Sequence, residues 1–260
     1  DLSKIRKSGS RLGVFGGRAS GPDPLDQVFK FIVTAFNGAK GRRLSPLECH
    51  DMCCVIARAI IVGGVRRSAM ISLSDLSNRE MAACKSGAWW EGSGHRSLAN
   101  NSAIYEGRPS ILDFMVEWQS LYESHSGERG IFNREGAQEQ CSWVGRDSKA
   151  RYGVNPCAEI LLKRQEFCNL TEIIIRANDK VSDIKRKVEI ATILGTCQSA
   201  LTYFPFLREK WKKNCEEERL LGVSFTGIYD NTLTWGKDGL DKLATRLARW
   251  RRYCEEVNRD

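Results

Sequence analysis

Apolar and polar positions follow two different periods along this chain, and the periods mark its elements. Over residues 24–39, Leu25, Val28, Phe29, Ile32, Val33 and Phe36 recur every three to four positions, the spacing of one helix face. A second helix is expected over 45–62, where Ser45 is a natural N-cap, Pro46 suits the first helical position and Glu48 completes the capping pattern. Gly63-Gly64 should stop it. Strand-like runs follow at 69–73, 130–132, 172–176 and 221–225, the third carrying the β-branched series Ile173-Ile174-Ile175. Helical spacing returns at 111–122, 181–200, 206–219 and 240–257. Strands alternating with helices predict an α/β fold with a mainly parallel sheet. The first 24 residues, rich in Gly, Ser and basic side chains, read as loop. No Pro/Ser linker divides the rest, which reads as one domain or part of one.

Composition narrows the class. The 260 residues are 42% hydrophobic and 28% charged, enough to bury a core without disulfides. No apolar run approaches the ~20 residues that span a bilayer, and the best stretch, 55–65, is broken by Arg58 and Gly63-Gly64. The N-terminal segment has no apolar core behind its charges and is no signal peptide. The 10 cysteines therefore read as cytoplasmic thiols. Lys+Arg 40 against Asp+Glu 32 gives a net charge of +8. The basic clusters at 185–187, 210–213 and 249–252 invite a nucleic-acid reading, but acids lie nearby on the same helical stretches. Solvated helix faces are the plainer account, and phosphorylated small ligands suit the charge as well.

Several groups of residues carry candidate chemistry. Cys49, His50, Cys53 and Cys54 offer metal-ligand atoms, but they straddle two adjacent helix faces and lack the usual loop spacing, so no metal is expected. The run 16–21 resembles a phosphate-binding loop only loosely. Gly63, Gly64, Val65, Arg66, Arg67 and Ser68 are more suggestive. Two glycines allow close backbone approach, and two guanidiniums can grip phosphate or stack on a base. The competing reading is a helix end followed by exposed arginines.

The decisive stretch is Asn155-Pro156-Cys157-Ala158-Glu159, with Phe167-Cys168-Asn169-Leu170-Thr171-Glu172 close behind. Pro156 keeps the segment out of a central strand and stiffens a loop that presents Cys157. A carboxamide, a thiol and a carboxylate within five positions suit sulfur chemistry assisted by an acid/base group. The histidines, at 50, 95 and 125, fall outside this stretch, which argues against a Cys–His hydrolase. Cys168 follows Cys157 by 11 residues, at most ~36 Å of extended chain, and a loop that doubles back could bring the thiols together.

These residues resemble the large chain of ribonucleotide reductases in its class II, adenosylcobalamin-dependent form, on the branch of monomeric ribonucleoside-triphosphate reductases. Further blocks in matching order are 16–22, 64–69, 95–102, 126–128, 195–198 and 216–224. The resemblance implies roughly the first half of a ten-stranded α/β barrel with a finger loop, spanning 25–260, preceded by an effector and specificity region at 1–24. It implies that Cys157 becomes the thiyl radical, Glu159 is the base at the 3′-hydroxyl, Asn155 holds the ribose and Glu159 in register, and Cys168 is one of two reducing thiols. Gly63 to Ser68 would form the loop contacting the substrate base. Implied partners are a ribonucleoside triphosphate substrate, a deoxynucleotide effector, a thioredoxin-like dithiol reductant and flanking segments of the same enzyme. Neither membrane nor DNA binding is expected.

Departures from the family pattern are also visible. The other reducing cysteine, the second half-barrel's phosphate loop and the C-terminal cysteine pair have no counterpart here, and Ala158 stands where the family often has Gly, a minor change on its face. With the start at Asp1 and the charged stop at Asp260, these raise the expectation of a central fragment or split piece that is inactive alone. The competing function is a basic nucleotide- or nucleic-acid-binding module without catalysis, which would have no need of Cys157, Glu159 and Cys168.

Overall fold

The capping pattern at Ser45 is realised in full. Ser45 Oγ accepts from the Glu48 N–H at 3.2 Å, and the Glu48 carboxylate accepts from the Ser45 N–H at 2.7 Å. The computed structural model describes residues 1–13, 16–62 and 66–260, and of 61, 62, 66 and 67 only the backbone. The chain forms two compact units, Asp1–Leu161 and Leu162–Asp260.

The first unit begins with turns joined by one bridge between Arg11 and Arg18. Helices α1 (Asp23–Gly38) and α2 (Pro46–Ala59) then pack together. Helix α2 ends three residues earlier than its periodicity predicts. Ile60 turns to extended backbone, and Ile61–Val62 (β1) pairs antiparallel with Arg66–Arg67 (β2). A run of three β-branched residues, Ile60-Ile61-Val62, favours that change.

Strand β3 (Met70–Asp75) leads through α3 (Arg79–Ala83), α4 (Trp89–Ser93) and a 3-10 turn (Gly94–Leu98) to β4 (Ala99–Tyr105). Helix α5 (Ile111–Ser124), capped by Ser110, returns the chain to β5 (Gly130–Asn133). The sheet order is β3-β4-β5, and both pairings are parallel. The predicted alternation of strand and helix thus yields consecutive βαβ units. Helix α6 (Arg134–Trp143) is capped by Asn133. Its residues Ala137 and Cys141 pack with Phe132 and Tyr152 against Leu73, Ile104 and Val154. Two-residue strands β6 (Gly153–Val154) and β7 (Leu161–Leu162) then bracket the segment that carries Cys157.

In the second unit, β8 (Asn169–Ile174) and β9 (Leu221–Thr226) are parallel, connected through α7 (Val181–Ser199) and α8 (Glu209–Glu218). Helix α9 (Thr232–Trp235) and α10 (Leu240–Arg259) complete it. Ile173, Ile175, Ile184, Val188, Ala191 and Trp250 form its core. In the basic clusters at 185–187 and 249–252, Lys187 bonds Asp179 at 2.5 Å, Lys185 sits over the Tyr253 ring, and Arg251 pairs with Glu255. Among the described residues, no helix is long and apolar enough to cross a membrane.

Candidate active site

Asn155 through Ala158 form a hydrogen-bonded turn, with the Ala158 N–H donating to Asn155 O at 2.9 Å. Asn and Pro are favoured at the first two positions of a type I turn, and Cys157, in the third, keeps the negative φ that this turn requires. The fourth residue, Ala158, has φ 64°, the left-handed conformation in which glycine is the favoured residue. A Cβ there costs about 1 kcal/mol. Alanine in place of the family's frequent glycine is therefore not a minor change: it strains the turn that carries the thiol.

Three more bonds hold this loop. At its base the Asn155 N–H donates to Ile160 O at 3.3 Å, and Asn155 Oδ1 accepts from the Ile160 N–H at 3.0 Å. At its tip, Pro156 O accepts from the Asn100 Nδ2 of β4 at 2.7 Å. Cys157 and Glu159 are exposed and Asn155 is partly buried. A thiol, a carboxylate and a carboxamide thus share one tethered hairpin, open to a ligand.

Cys168 belongs to the second unit, next to the start of β8. The N–H of neighbouring Phe167 donates to the buried Cys215 Sγ at 3.3 Å, and the Phe167 ring stacks on Trp211 at 4.7 Å. All 10 cysteines are thiols, none in a disulfide. Of the proposed base-contacting loop, Gly63, Gly64 and Val65 lie outside the described residues. Arg66 and Arg67 form β2, and Ser68 ties the loop's end back to α2 by donating its N–H to Ile60 O at 3.3 Å and its hydroxyl to Ala57 O.

Beneath β4 lies a polar cluster that residue pattern alone does not reveal. Arg96 grips Asp51 of α2 through two contacts of 2.7 and 2.6 Å and donates to Cys84 O. His50 Nε2 lies 3.2 Å from Asn101 Oδ1, while Asn101 Nδ2 donates to Cys84 Sγ at 3.0 Å. Lys85 joins Ala99 O to Glu128, and Glu128 Oε2 accepts from the Asn101 N–H at 3.0 Å. Burial alone would raise the Asp51 carboxyl, but Arg96 and the His50 and His95 rings outweigh it and hold it well below the usual carboxylate range. His95 Nε2 stands 3.2 Å from Asp51 Oδ1 without the alignment of a hydrogen bond. Burial, helped by the Asp51 charge, pushes the Cys54 thiol up to about 12. The same cluster occupies His50 and Cys54, whereas Cys49 and Cys53 are exposed. Among the described residues no group of His, Cys, Asp and Glu has the form of a metal site. The advance signals of this cluster are the 95–102 and 126–128 blocks, which carry resemblance without an assigned role, and His50 and Cys54 of the group weighed as metal ligands.

Parallel βαβ units presenting a cysteine on a tethered hairpin define the class: an α/β protein built around an accessible thiol. No protein-family model matches the chain. It is 31% identical over 238 residues to the adenosylcobalamin-dependent ribonucleoside-triphosphate reductase of Lactobacillus gasseri, covering 88% of this chain and 30% of that protein. The reductase of the same name from Levilactobacillus brevis is 32% identical over 235 residues, with 88% and 30% covered. That from Lactobacillus helveticus is 29% identical over 261, with 93% and 33% covered. Over most of its length the chain is similar to these ribonucleoside-triphosphate reductases. It spans about a third of the length of the curated relatives it matches.

Proposed function

We propose that the chain contributes the central catalytic part of a ribonucleoside-triphosphate reductase that works through a cysteine thiyl radical. The observation that carries this reading is the hairpin: Asn155, Cys157 and Glu159 of the motif stand on one hairpin braced at base and tip. In the same reading, 25–260 supplies strands to the ten-stranded barrel with 153–162 as its finger loop. The parallel β3-β4-β5 and β8-β9 pairings support this. Residues 1–24 serve as effector region, and 63–68 contact the substrate base.

An exposed thiol at a hairpin tip fits a cofactor that must exchange a hydrogen atom with it. Adenosylcobalamin, when bound, supplies the one-electron chemistry that makes the Cys157 thiyl. Cys157 then takes a hydrogen atom from C3′ of the ribose and becomes a thiol again. Glu159 accepts the 3′-hydroxyl proton while the 2′-hydroxyl leaves as water, protonated by a thiol. Cys168 and a second thiol outside the assigned residues supply two electrons and end as a disulfide. Glu159 returns its proton to the 3′-oxygen as Cys157 returns its hydrogen to C3′ and is again a thiyl. Asn155 already spends its Oδ1 on the Ile160 N–H, which leaves Nδ2 to meet a ribose hydroxyl. A dithiol reductant must reopen the disulfide for a second turnover, and the working location is the cytoplasm, where such reductants act.

The test is turnover of nucleoside triphosphate with adenosylcobalamin and a dithiol, using the chain alone and the chain joined to the flanking regions its relatives possess. Deoxynucleotide is expected from the joined protein and not from the chain alone. Cys157→Ser should abolish it. Unaffected reduction by Cys157→Ser would overturn the radical assignment, and nucleotide binding without reduction in the joined protein would favour a binding module.

A further inference from the structure

We propose that Asn100 is a positioning residue whose carboxamide N–H, donated to the Pro156 carbonyl, fixes where the Cys157 thiol stands. This rests on the reading of Cys157 as the hydrogen-abstracting thiol. The bond is 2.7 Å long and joins residues 56 positions apart, so it is a tertiary tether and not part of the hairpin itself. Within the hairpin, Asn155 O is taken by the Ala158 N–H and the base is closed by the paired bonds of Asn155 and Ile160. Pro156 O belongs to the central peptide of the turn, whose other end is the Cys157 nitrogen. Without an external partner that peptide is free to rock, and the Cys157 side chain rocks with it.

Asn100 is itself held firmly. Its backbone pairs with Ile71 of β3, Lys85 bonds the carbonyl of Ala99 before it, and Glu128 bonds the N–H of Asn101 after it. Strand alternation directs Asn101 into the polar cluster and leaves Asn100 on the exposed face. The buried side chains therefore clamp a strand whose outward carboxamide aims at the hairpin tip. Hydrogen-atom transfer needs its reacting atoms placed to within a fraction of an ångström, and a misplacement of about 1 Å can cost roughly 100-fold in rate.

The test compares wild type, Asn100→Ala and Asn100→Asp. The aspartate has the shape of asparagine but no N–H to donate, so it separates the hydrogen bond from packing. Amide hydrogen exchange on the full chain is the first readout. Both variants should speed exchange at Ala158 and Ile160 at least about fivefold while β3, β4 and β5 keep their protection. In the joined, cofactor-loaded protein, both should lower kcat about 10- to 100-fold and leave KM for the nucleotide within about threefold. Wild-type exchange in Asn100→Asp overturns the proposal, because shape alone would then suffice. Equal loss of protection throughout the three strands also overturns it, since Asn100 would then be a strand residue only. Failure of wild type to reduce nucleotide overturns the radical reading instead, and the exchange comparison still decides the tether.

Discussion

Arg96 meets both carboxylate oxygens of Asp51, at 2.7 and 2.6 Å, and in doing so locks helix α2 to the segment that leads into β4. Both side chains are about 13–14% exposed, so the pair is largely withdrawn from water. Removing one member leaves the other charge buried without its partner, a change that typically costs about 3–5 kcal/mol. Arg96→Met should lower the urea midpoint accordingly. A loss within 1 kcal/mol of zero, roughly the worth of a surface ion pair, would show that water reaches the site.

The same pair sets an acid limit. Asp51 titrates at lower pH in the folded than in the unfolded chain, so its ionised form adds stability above the unfolded value near pH 4. That contribution disappears as pH falls through the folded value. Urea midpoints measured from pH 6 downwards should drop below about pH 4 in wild type, and Asp51→Asn should show a flatter fall. Parallel curves for the two proteins would refute this.

Cys54 produces the opposite dependence. Its folded thiol titrates near 12, above an unfolded value of about 8.5. The unfolded chain therefore ionises first, and the stabilisation present below about pH 8.5 is lost as pH rises toward 12. Cys54→Ala should remove part of the alkaline slope in thermal unfolding between about pH 8.5 and 11, and an unchanged slope would count against it.

Ala158→Gly should relieve the left-handed strain at φ 64° and raise stability by about 1 kcal/mol, read as an upward shift in Tm. Ala158→Val should act in the reverse direction, since a β-branched residue fits that conformation worse. Equal Tm for the glycine variant and wild type would mean that the turn relaxes without cost.

Gly227 sits at φ 73°, and a Cβ there would stand 2.5 Å from Ile175 O, whereas Gly9, at φ 80°, has open space around it. Gly9→Ala should cost about 1 kcal/mol from conformation alone, and Gly227→Ala roughly 2 kcal/mol more because a backbone atom must move. Chemical denaturation of the two variants checks the difference.

Much of this fold is legible in residue order. The capping signal at Ser45 and the helical periods of α1, α5, α7 and α10 depend on neighbours a turn away, so local pattern suffices for them. Strand β4 escapes that reading. Its inward positions are Ala99, Asn101, Ala103 and Tyr105, of which one is polar and two are small, so no apolar alternation announces it. Asn101 is buried because His50, Cys84 and Glu128 satisfy it, and those partners arrive from three other segments. The early end of α2 at Ala59 is of the same kind, since the β1–β2 pairing competes with helix continuation only once Arg66–Arg67 is alongside.

The candidate site divides in the same way. The order Asn155-Pro156-Cys157-Ala158-Glu159 by itself determined a stiff turn, the residues it presents and the family they resemble, because turn chemistry is local. Only the tertiary structure decided that Ala158 is strained, that Asn155 spends half of its carboxamide on Ile160, and that Asn100 reaches 56 residues forward to hold the tip. A hydrogen bond across that separation exists because β3 and β5 fix the strand between them, and no spacing in the sequence encodes that geometry.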